Sequence, residues 1–270
     1  MKDLHIHTIY SDGELNEYEI LEEILKTNVK EFAICDHDTI EGSKKVFNIL
    51  TKKNLPLKFH FGVELTCRFN EFKNGINMHL LVYDFNLNNE TLLNLIKKVN
   101  NLRKLKIQRM VDLVYKEYNV KISEEKINEI LKVTSSFGKP HIYSILSEMG
   151  EFNREEYYEK MNELNSKDLK LNAKEVILKL KDSCKVFLAH PVEIMKEYNL
   201  DINEIEKLIF SLKELGLFGV ETYHSSQTKE LQEKLSKITK KYGLSESCGS
   251  DFHGENVKPG LRIGDIQKVV

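Results

Sequence analysis

The strongest constraint on the fold is the alternation of strand-like runs with helical patterns along most of the chain. Residues 17–28, for example, place Ile20, Leu21 and Ile24 on one helical face. Strands that alternate with helices predict parallel β/α units. Seven strand-like runs favour a closed or nearly closed barrel over an open sheet, and they are Lys2–His7, Glu31–Asp36, Lys58–Leu65, Asn77–Tyr83, Lys185–His190, Phe218–Tyr223 and Ser245–Asp251.

The alternation stops in the middle of the chain. From about residue 100 to residue 172 only helical patterns occur, among them Leu102–Tyr118 and His141–Met149. This stretch is too long for a simple connector between strands. We therefore predict an α/β fold, a distorted β/α barrel with an all-helical insertion. The predicted boundaries are 1–99 for the first part of the barrel, 100–172 for the insertion domain and 173–270 for the second part.

Composition limits the class of partner. The 270 residues carry a net charge of −2, so no overall basic field attracts long nucleic acid. A Gly-x-Gly-x-x-Gly loop is absent, which counts against dinucleotide binding. The four cysteines lack paired spacing and are expected to be reduced. Met1 leads into no signal peptide and no apolar stretch has membrane length, so we expect a cytoplasmic protein without a membrane partner.

Histidine and carboxylate residues recur at the ends of the strand-like runs. Imidazoles and carboxylates are ligands of borderline transition metals, and a β/α barrel builds its catalytic mouth where strands end. Six runs share this chemistry: Asp3-Leu4-His5-Ile6-His7, Asp36-His37-Asp38, Gly62-Val63-Glu64, Asn77-Met78-His79, His190-Pro191 and Asp251-Phe252-His253. Together they predict a metal centre.

Each run also has an ordinary structural interpretation. His5 and His7 are two apart on a strand and face the same way, but such a pair can simply be a polar strand end. Asp12 before Gly13 fits a common turn. A histidine such as His79 is often a hydrogen-bonded core residue. Glu64 is harder to explain, because a carboxylate inside an apolar run is costly unless it is paired or metal-bound.

The ordered set of motifs resembles the PHP (polymerase and histidinol phosphatase) superfamily over nearly the whole chain. It is most similar to the stand-alone branch that dephosphorylates nucleoside 3′,5′-bisphosphates and trims RNA 5′ ends. Three features favour that branch: the helical insertion, Asp12 where histidinol-phosphatase-like relatives often carry histidine, and Gly138-Lys139-Pro140-His141-Ile142. The last segment departs from the family motif, which usually has arginine at the position of Lys139.

The resemblance implies a distorted seven-stranded barrel with three divalent metal ions, which could be manganese, iron or zinc. Glu64 would bridge the first and second ions. The implied ligands are His5, His7, Glu64 and Asp251 for the first ion, Glu64, His79 and His190 for the second, and Asp12, His37 and His253 for the third.

The implied reaction is hydrolysis of a phosphate ester by metal-activated hydroxide on a small phosphorylated substrate, a nucleotide or an RNA 5′ end. Besides Glu64, the expected catalytic groups are Asp251 and His253, one of which transfers a proton to the leaving oxygen. Phosphate also needs cationic or hydrogen-bonding contacts. The candidates are Lys139, His141, Tyr223, His224 and Ser225.

Two alternatives remain at this point. The first is a phosphatase for a non-nucleotide monoester such as histidinol phosphate, against which the insertion and Asp12 argue weakly. The second is a non-catalytic, metal-bound accessory module. That alternative predicts missing ligands and a large fused neighbour, whereas all nine ligand positions are filled here.

Overall fold

The chain forms two compact units. The computed structural model describes residues 1–133, 138–164 and 169–266. The first unit comprises Met1–Ile96 and Leu171–Val270, and the second comprises Lys97–Lys170. The first unit contains the whole β-sheet, and the second is helical.

The first unit is built around one β-sheet. Seven of its strands lie side by side, and one further short strand pairs at the side of this path. The strands are β1 (Lys2–Ile6), β2 (Glu31–Ile34), β3 (Lys58–Phe69), β4 (Ile76–Tyr83), β5 (Leu171–Asn172), β6 (Lys185–Leu188), β7 (Gly219–His224) and β8 (Ser245–Gly249). Their order in the sheet is β1-β2-β3-β4-β6-β7-β8, and the two-residue β5 pairs with β3. The predicted distorted seven-stranded α/β barrel is confirmed.

The first and last strands nearly close the barrel. Just beyond β8, the backbone N–H of Asp251 donates to the His5 carbonyl at 2.8 Å. The backbone N–H of His7 donates to the Phe252 carbonyl at 2.9 Å, and Ile6 forms a parallel bridge with Phe252. The barrel therefore closes through the residues that immediately follow β8. This closure brings the first histidine motif, at residues 5–7, next to the last one, at residues 251–253.

The expectation of parallel β/α units is wrong for β4. This strand pairs antiparallel with both β3 and β6, while the other pairs along the main path are parallel. Six residues separate Phe69 from Ile76, too few for the crossover that a parallel connection needs. His79 lies in the middle of β4, as Glu64 lies in the middle of β3, so neither of these two candidate ligands is at a strand end.

Amphipathic helices cover the outside of the sheet. The helices of this unit include α1 (Glu17–Leu25), α2 (Glu41–Lys53), α7 (Ala173–Leu180), α8 (Pro191–Tyr198), α9 (Ile202–Leu215) and α10 (Lys229–Lys241). Capping boxes start α1, where Asn16 and Glu19 cap each other's backbone, and α9, where Asp201 and Glu204 do the same. Buried Ile20 and Ile24 of α1 pack on the strand core.

The helical unit has a separate apolar core. Its residues come from α3 (Glu90–Tyr118), of which residues 97–118 belong to this unit, and from α4 (Glu124–Val133), α5 (Lys139–Met149) and α6 (Arg154–Glu163). Met110, Ile142 and Tyr157 are fully buried in this core. The Tyr157 hydroxyl donates to the Lys139 carbonyl at 2.7 Å, which ties α6 to the start of α5.

Among the residues that the structure describes, no helix is both long enough and apolar enough to cross a lipid bilayer.

Candidate metal centre

Glu64 lies at the centre of the polar cluster in the first unit. Its side chain is 1% exposed, and its two oxygens face different imidazoles. Oε2 lies 3.0 Å from His5 Nε2 and 3.1 Å from His7 Nε2. Oε1 lies 3.0 Å from His79 Nδ1 and 2.8 Å from His190 Nε2. One carboxylate therefore contacts two separate groups of imidazole nitrogens.

Asp251 completes the group around Glu64 Oε2. Its Oδ1 lies 3.6 Å from His5 Nε2 and 3.3 Å from His7 Nε2, and these two nitrogens are 3.0 Å apart. Ligand atoms at about 2.0–2.2 Å from a tetrahedral Zn²⁺ lie about 3.3–3.6 Å from one another. The spacing of these four side chains fits a divalent transition-metal ion.

A further group forms around Asp12. Its Oδ1 lies 3.4 Å from His253 Nε2 and 3.5 Å from His7 Nδ1, and its Oδ2 lies 3.6 Å from His37 Nε2. His37 also approaches Glu64, with 3.4 Å between Nδ1 and Oε2. The nine sequence-predicted ligands thus fall into three adjacent groups, and His37 contacts two of them.

Unpaired buried atoms favour cations in these groups. Within the described residues, Asp12 Oδ1 and His37 Nδ1 are buried and have no hydrogen-bond partner. Buried polar atoms normally find a partner, so such exceptions call for an explanation. Asp12 Oδ1 has only imidazole nitrogens at 3.4–3.5 Å, beyond strong hydrogen-bond distance. A divalent ion would satisfy both atoms, and the donor set suits manganese, iron or zinc.

The electrostatics keep the carboxylates ionised. Burial alone would raise the pKa of Glu64, but contacts with its imidazole neighbours, among them His5 and His190, hold it well below its usual range. Burial likewise opposes ionisation of Asp251, and His5 together with other contacts brings its pKa well below the ordinary value. Burial lowers the pKa of His37 well below 6.5, which favours the neutral, ligating imidazole.

Glu221 is a site residue that the sequence reasoning missed. It is fully buried on β7, and its Oε1 lies 2.9 Å from His5 Nδ1. A signal for it was present, because Phe-Gly-Val-Glu occurs twice, at residues 61–64 and at residues 218–221. The glutamate of the first copy is among the predicted metal ligands, whereas the second copy carries only a strand prediction.

Lys258 is a second missed residue. Its ammonium donates to Asp251 Oδ2 and, at 3.1 Å, to the Asp251 carbonyl. His224 Nε2 also lies 3.3 Å from Asp251 Oδ2. The two oxygens of Asp251 therefore differ, since Oδ1 faces the predicted ligands and Oδ2 faces His224 and Lys258. A lysine in an irregular segment seven residues after Asp251 carries no pattern that could have identified it.

The predicted substrate-binding residues lie in both units. His224 is buried against Asp251, while Tyr223 and Ser225 beside it are half-buried. Lys139 and His141 belong to the helical unit. His141 Nδ1 accepts a hydrogen bond from the Gly138 N–H at 3.0 Å and thereby caps α5.

Lys139 belongs to a group of cations in the helical unit. Its ammonium donates to Asn162 Oδ1 at 2.5 Å. Burial lowers the pKa of Lys106, and repulsion from Lys139 and Arg103 lowers it further. Cations held near one another in this way attract anions such as phosphate.

Family and sequence comparisons agree with this chemistry. The PHP domain family matches residues 3–183. A 5′-3′ exoribonuclease of Haemophilus influenzae is 24% identical over 257 residues, which cover 93% of this chain and 89% of the relative. A phosphoribosyl 1,2-cyclic phosphate 1,2-diphosphodiesterase of Eggerthella lenta is 23% identical over 268 residues, which cover 94% of this chain and 95% of the relative.

Solved structures share the fold. A protein from Bifidobacterium adolescentis, described as a metal-dependent phosphoesterase, superposes with a TM-score of 0.72 at 22% identity, over 99% of this chain and 92% of that chain. An amidohydrolase from Chromobacterium violaceum gives a TM-score of 0.71 at 18% identity, over 99% of this chain and 93% of that chain. At these identities the likeness shows the fold.

Proposed function

This chain belongs to the PHP family and is a metal-dependent hydrolase of phosphate esters. On that premise, we propose that it removes the 3′-phosphate of nucleoside 3′,5′-bisphosphates, degrades short 5′-phosphorylated RNA, or does both. The observation that carries the proposal is the position of Glu64, whose two oxygens each contact a different group of imidazoles. The Haemophilus relative, a 5′-3′ exoribonuclease, supports the choice of substrate.

The proposal includes three divalent ions held by the predicted ligands. Glu64 would bridge the ion held by His5, His7 and Asp251 and the ion held by His79 and His190. Asp12, His37 and His253 would hold the third. Bound divalent ions lower the pKa of water and neutralise the charge that develops on phosphate oxygens.

Hydrogen bonds within the cluster determine which atoms of His253 and Asp251 can ligate and which can transfer a proton to the leaving oxygen. His253 Nδ1 lies 2.8 Å from the Asp251 carbonyl and therefore carries a hydrogen, which leaves Nε2 free to ligate. Asp251 uses only Oδ1 towards the ligands, and its Oδ2 contacts His224 and Lys258. Because both nitrogens of His253 are then committed, we favour Asp251 as the group that accepts a proton from the attacking water and passes it to the leaving oxygen.

Each unit by itself offers polar groups to an anionic substrate. In the helical unit, Lys139 with Lys106 and Arg103 supports the binding of an anion. In the barrel, Tyr223 and Ser225 are half-buried, and we assign them to hydrogen bonds with the substrate phosphate. His224 faces Asp251, so we assign it to orienting that carboxylate rather than to direct phosphate contact.

A substrate panel tests the proposal. The manganese-loaded protein would be offered adenosine 3′,5′-bisphosphate, a 5′-phosphorylated oligoribonucleotide, phosphoribosyl 1,2-cyclic phosphate and histidinol phosphate, and product release would be measured. Preferred turnover of either of the first two supports the proposal. Preference for the cyclic phosphate or for histidinol phosphate would overturn the substrate assignment. No turnover of any of them, with metal bound, would overturn the proposed substrate class.

His37→Ala tests the ligand assignment separately. The variant should lose the third metal ion and most of the activity, because it removes an imidazole that faces Asp12 and Glu64. Metal content and turnover would be measured together. Wild-type rates in this variant would contradict the assignment.

A further inference from the structure

Glu221 touches two of the proposed metal ligands from the side opposite Glu64. Its Oε1 lies 2.9 Å from His5 Nδ1, and its Oε2 accepts a hydrogen bond from the backbone N–H of His190 at 2.7 Å. His5 contacts Glu64 Oε2 and His190 contacts Glu64 Oε1. A single buried carboxylate therefore connects one ligand of each group that Glu64 joins.

The contact with His5 determines which ring nitrogen can ligate. An ionised carboxylate only accepts hydrogen bonds, so Nδ1 of His5 must carry the hydrogen. The lone pair is then on Nε2, which lies 3.0 Å from Glu64 Oε2 and 3.6 Å from Asp251 Oδ1. The partner of one ring nitrogen commonly fixes the tautomer of a metal-ligating histidine in this way.

The contact with His190 acts on the backbone. His190 has φ 24° and ψ 67°, a left-handed conformation that residues with a β-carbon rarely adopt, and Pro191 follows it. The hydrogen bond from its N–H to Glu221 holds the backbone in this conformation. The same conformation places the ring Nε2 2.8 Å from Glu64 Oε1.

Close packing keeps Glu221 in place. Gly249 of β8 lies directly beside it, and a β-carbon there would come within 2.7 Å of Glu221 Oε1 and 2.2 Å of His5 Cβ. Glu221 itself is fully buried. The close approach of β8 therefore confines Oε1 on the side of Gly249, next to His5.

We propose that Glu221 is a positioning residue that fixes the ligating tautomer of His5 and the backbone conformation of His190, and thereby couples the two groups bridged by Glu64. The proposal rests on the metal ligation in the proposed function. It does not depend on which phosphate ester is the substrate.

Glu221→Gln is the sharpest test, because glutamine has the same shape but only one acceptor oxygen. If that oxygen stays on the His190 N–H, the amide N–H₂ faces His5 Nδ1 and forces the hydrogen onto Nε2. If the amide turns over, it opposes the His190 N–H instead. Either orientation should weaken binding of at least one ion about 10- to 100-fold, measured by equilibrium dialysis with Mn²⁺ and with Zn²⁺.

Glu31→Gln is the matched control. It removes one negative charge from the same unit, but Glu31 contacts Lys2, Lys58 and His60 rather than a predicted ligand. The control should bind metal as the wild type does. A folded Glu221→Gln protein with wild-type affinity would overturn the positioning role, whereas a wild-type protein that binds no metal would overturn the proposed function.

A measurement on the wild type keeps the proposal testable if Glu221→Gln fails to fold. In the zinc-loaded protein, ¹⁵N-edited NMR of labelled histidines should detect a hydrogen on His5 Nδ1 and none on Nε2, with His5→Ala used to assign the signal. A hydrogen on Nε2, or metal bound through Nδ1, would contradict the proposal.

Discussion

The two Phe-Gly-Val-Glu segments put identical residues into opposite environments. Glu64 of the first segment lies among imidazoles from several strands and contacts them with both oxygens. Glu221 of the second segment lies behind those imidazoles and contacts one ring nitrogen and one backbone N–H. Both side chains are almost completely buried, at 1% and 0% exposure.

The difference shows what a short strand motif specifies. In both copies, glycine permits close approach of the neighbouring strand: a β-carbon on Gly62 would lie 2.7 Å from the Ile34 carbonyl, and one on Gly219 would lie 2.3 Å from the Ser245 carbonyl. The following valine and glutamate are then buried. Whether the carboxylate faces a metal group or supports it depends on the strands on either side.

The largest effect should come from Glu64→Gln. The variant leaves one oxygen to serve two groups and places an amide N–H₂ against imidazoles. Loss of metal-assisted charge stabilisation is worth several kcal/mol, or about 10³-fold in kcat. Turnover and metal content should fall together, and by more than in Glu221→Gln. Equal losses in the two variants would mean that the two carboxylates do not differ in role.

Metal removal should reduce the stability of the wild type. At free Mn²⁺ about 100 times its Kd, binding stabilises the folded state by about 2.7 kcal/mol. Treatment with EDTA should therefore lower the thermal midpoint, measured by calorimetry, and Mn²⁺ should restore it. Glu64→Gln should show little metal-dependent shift, Glu221→Gln an intermediate shift and Glu31→Gln the full shift. A full shift in Glu64→Gln would argue against the bridging role.

The two glycines provide a comparison that is independent of metal. Gly219→Ala and Gly62→Ala should each destabilise the protein by about 1–3 kcal/mol, because an added methyl group overpacks the sheet. Gly219→Ala should be the more destabilising substitution, since its β-carbon would also come within 2.2 Å of the Phe187 ring. Urea unfolding of metal-free protein measures both. A larger loss of stability in Gly62→Ala would show that β3 shifts less easily than β7 to accommodate an added methyl group.

A smaller effect is expected outside both segments. Lys139→Ala should raise KM about tenfold, because a hydrogen bond to a charged group contributes about 1.5 kcal/mol. Metal content should stay at the wild-type value. Lys139→Arg, which offers a two-pronged donor to phosphate, should not raise KM. A change in metal affinity with either variant would contradict the assignment of Lys139 to the substrate.

Local sequence signals predicted much of the barrel. Strand-like runs and helical spacing indicated the alternating elements, and capping residues such as Asn16 mark helix starts. The antiparallel β4 was not anticipated, because strand direction depends on the length of the connection and on the neighbouring pairs rather than on composition. His79 illustrates the consequence, since it contacts the same cluster from the middle of a strand that runs in the opposite direction.

By itself, the sequence determined the chemistry available to this protein: which imidazoles and carboxylates it has, and that they accompany strands. Only the tertiary structure decided which of these side chains face the predicted metal ions and which support the ligands from behind. Glu221 and Lys258 acquire their partners across 216 and 7 residues respectively, through sheet closure and an irregular loop. A residue's periodicity reports whether it is buried, but its contacts depend on strand order, direction and register, which are properties of the assembled sheet.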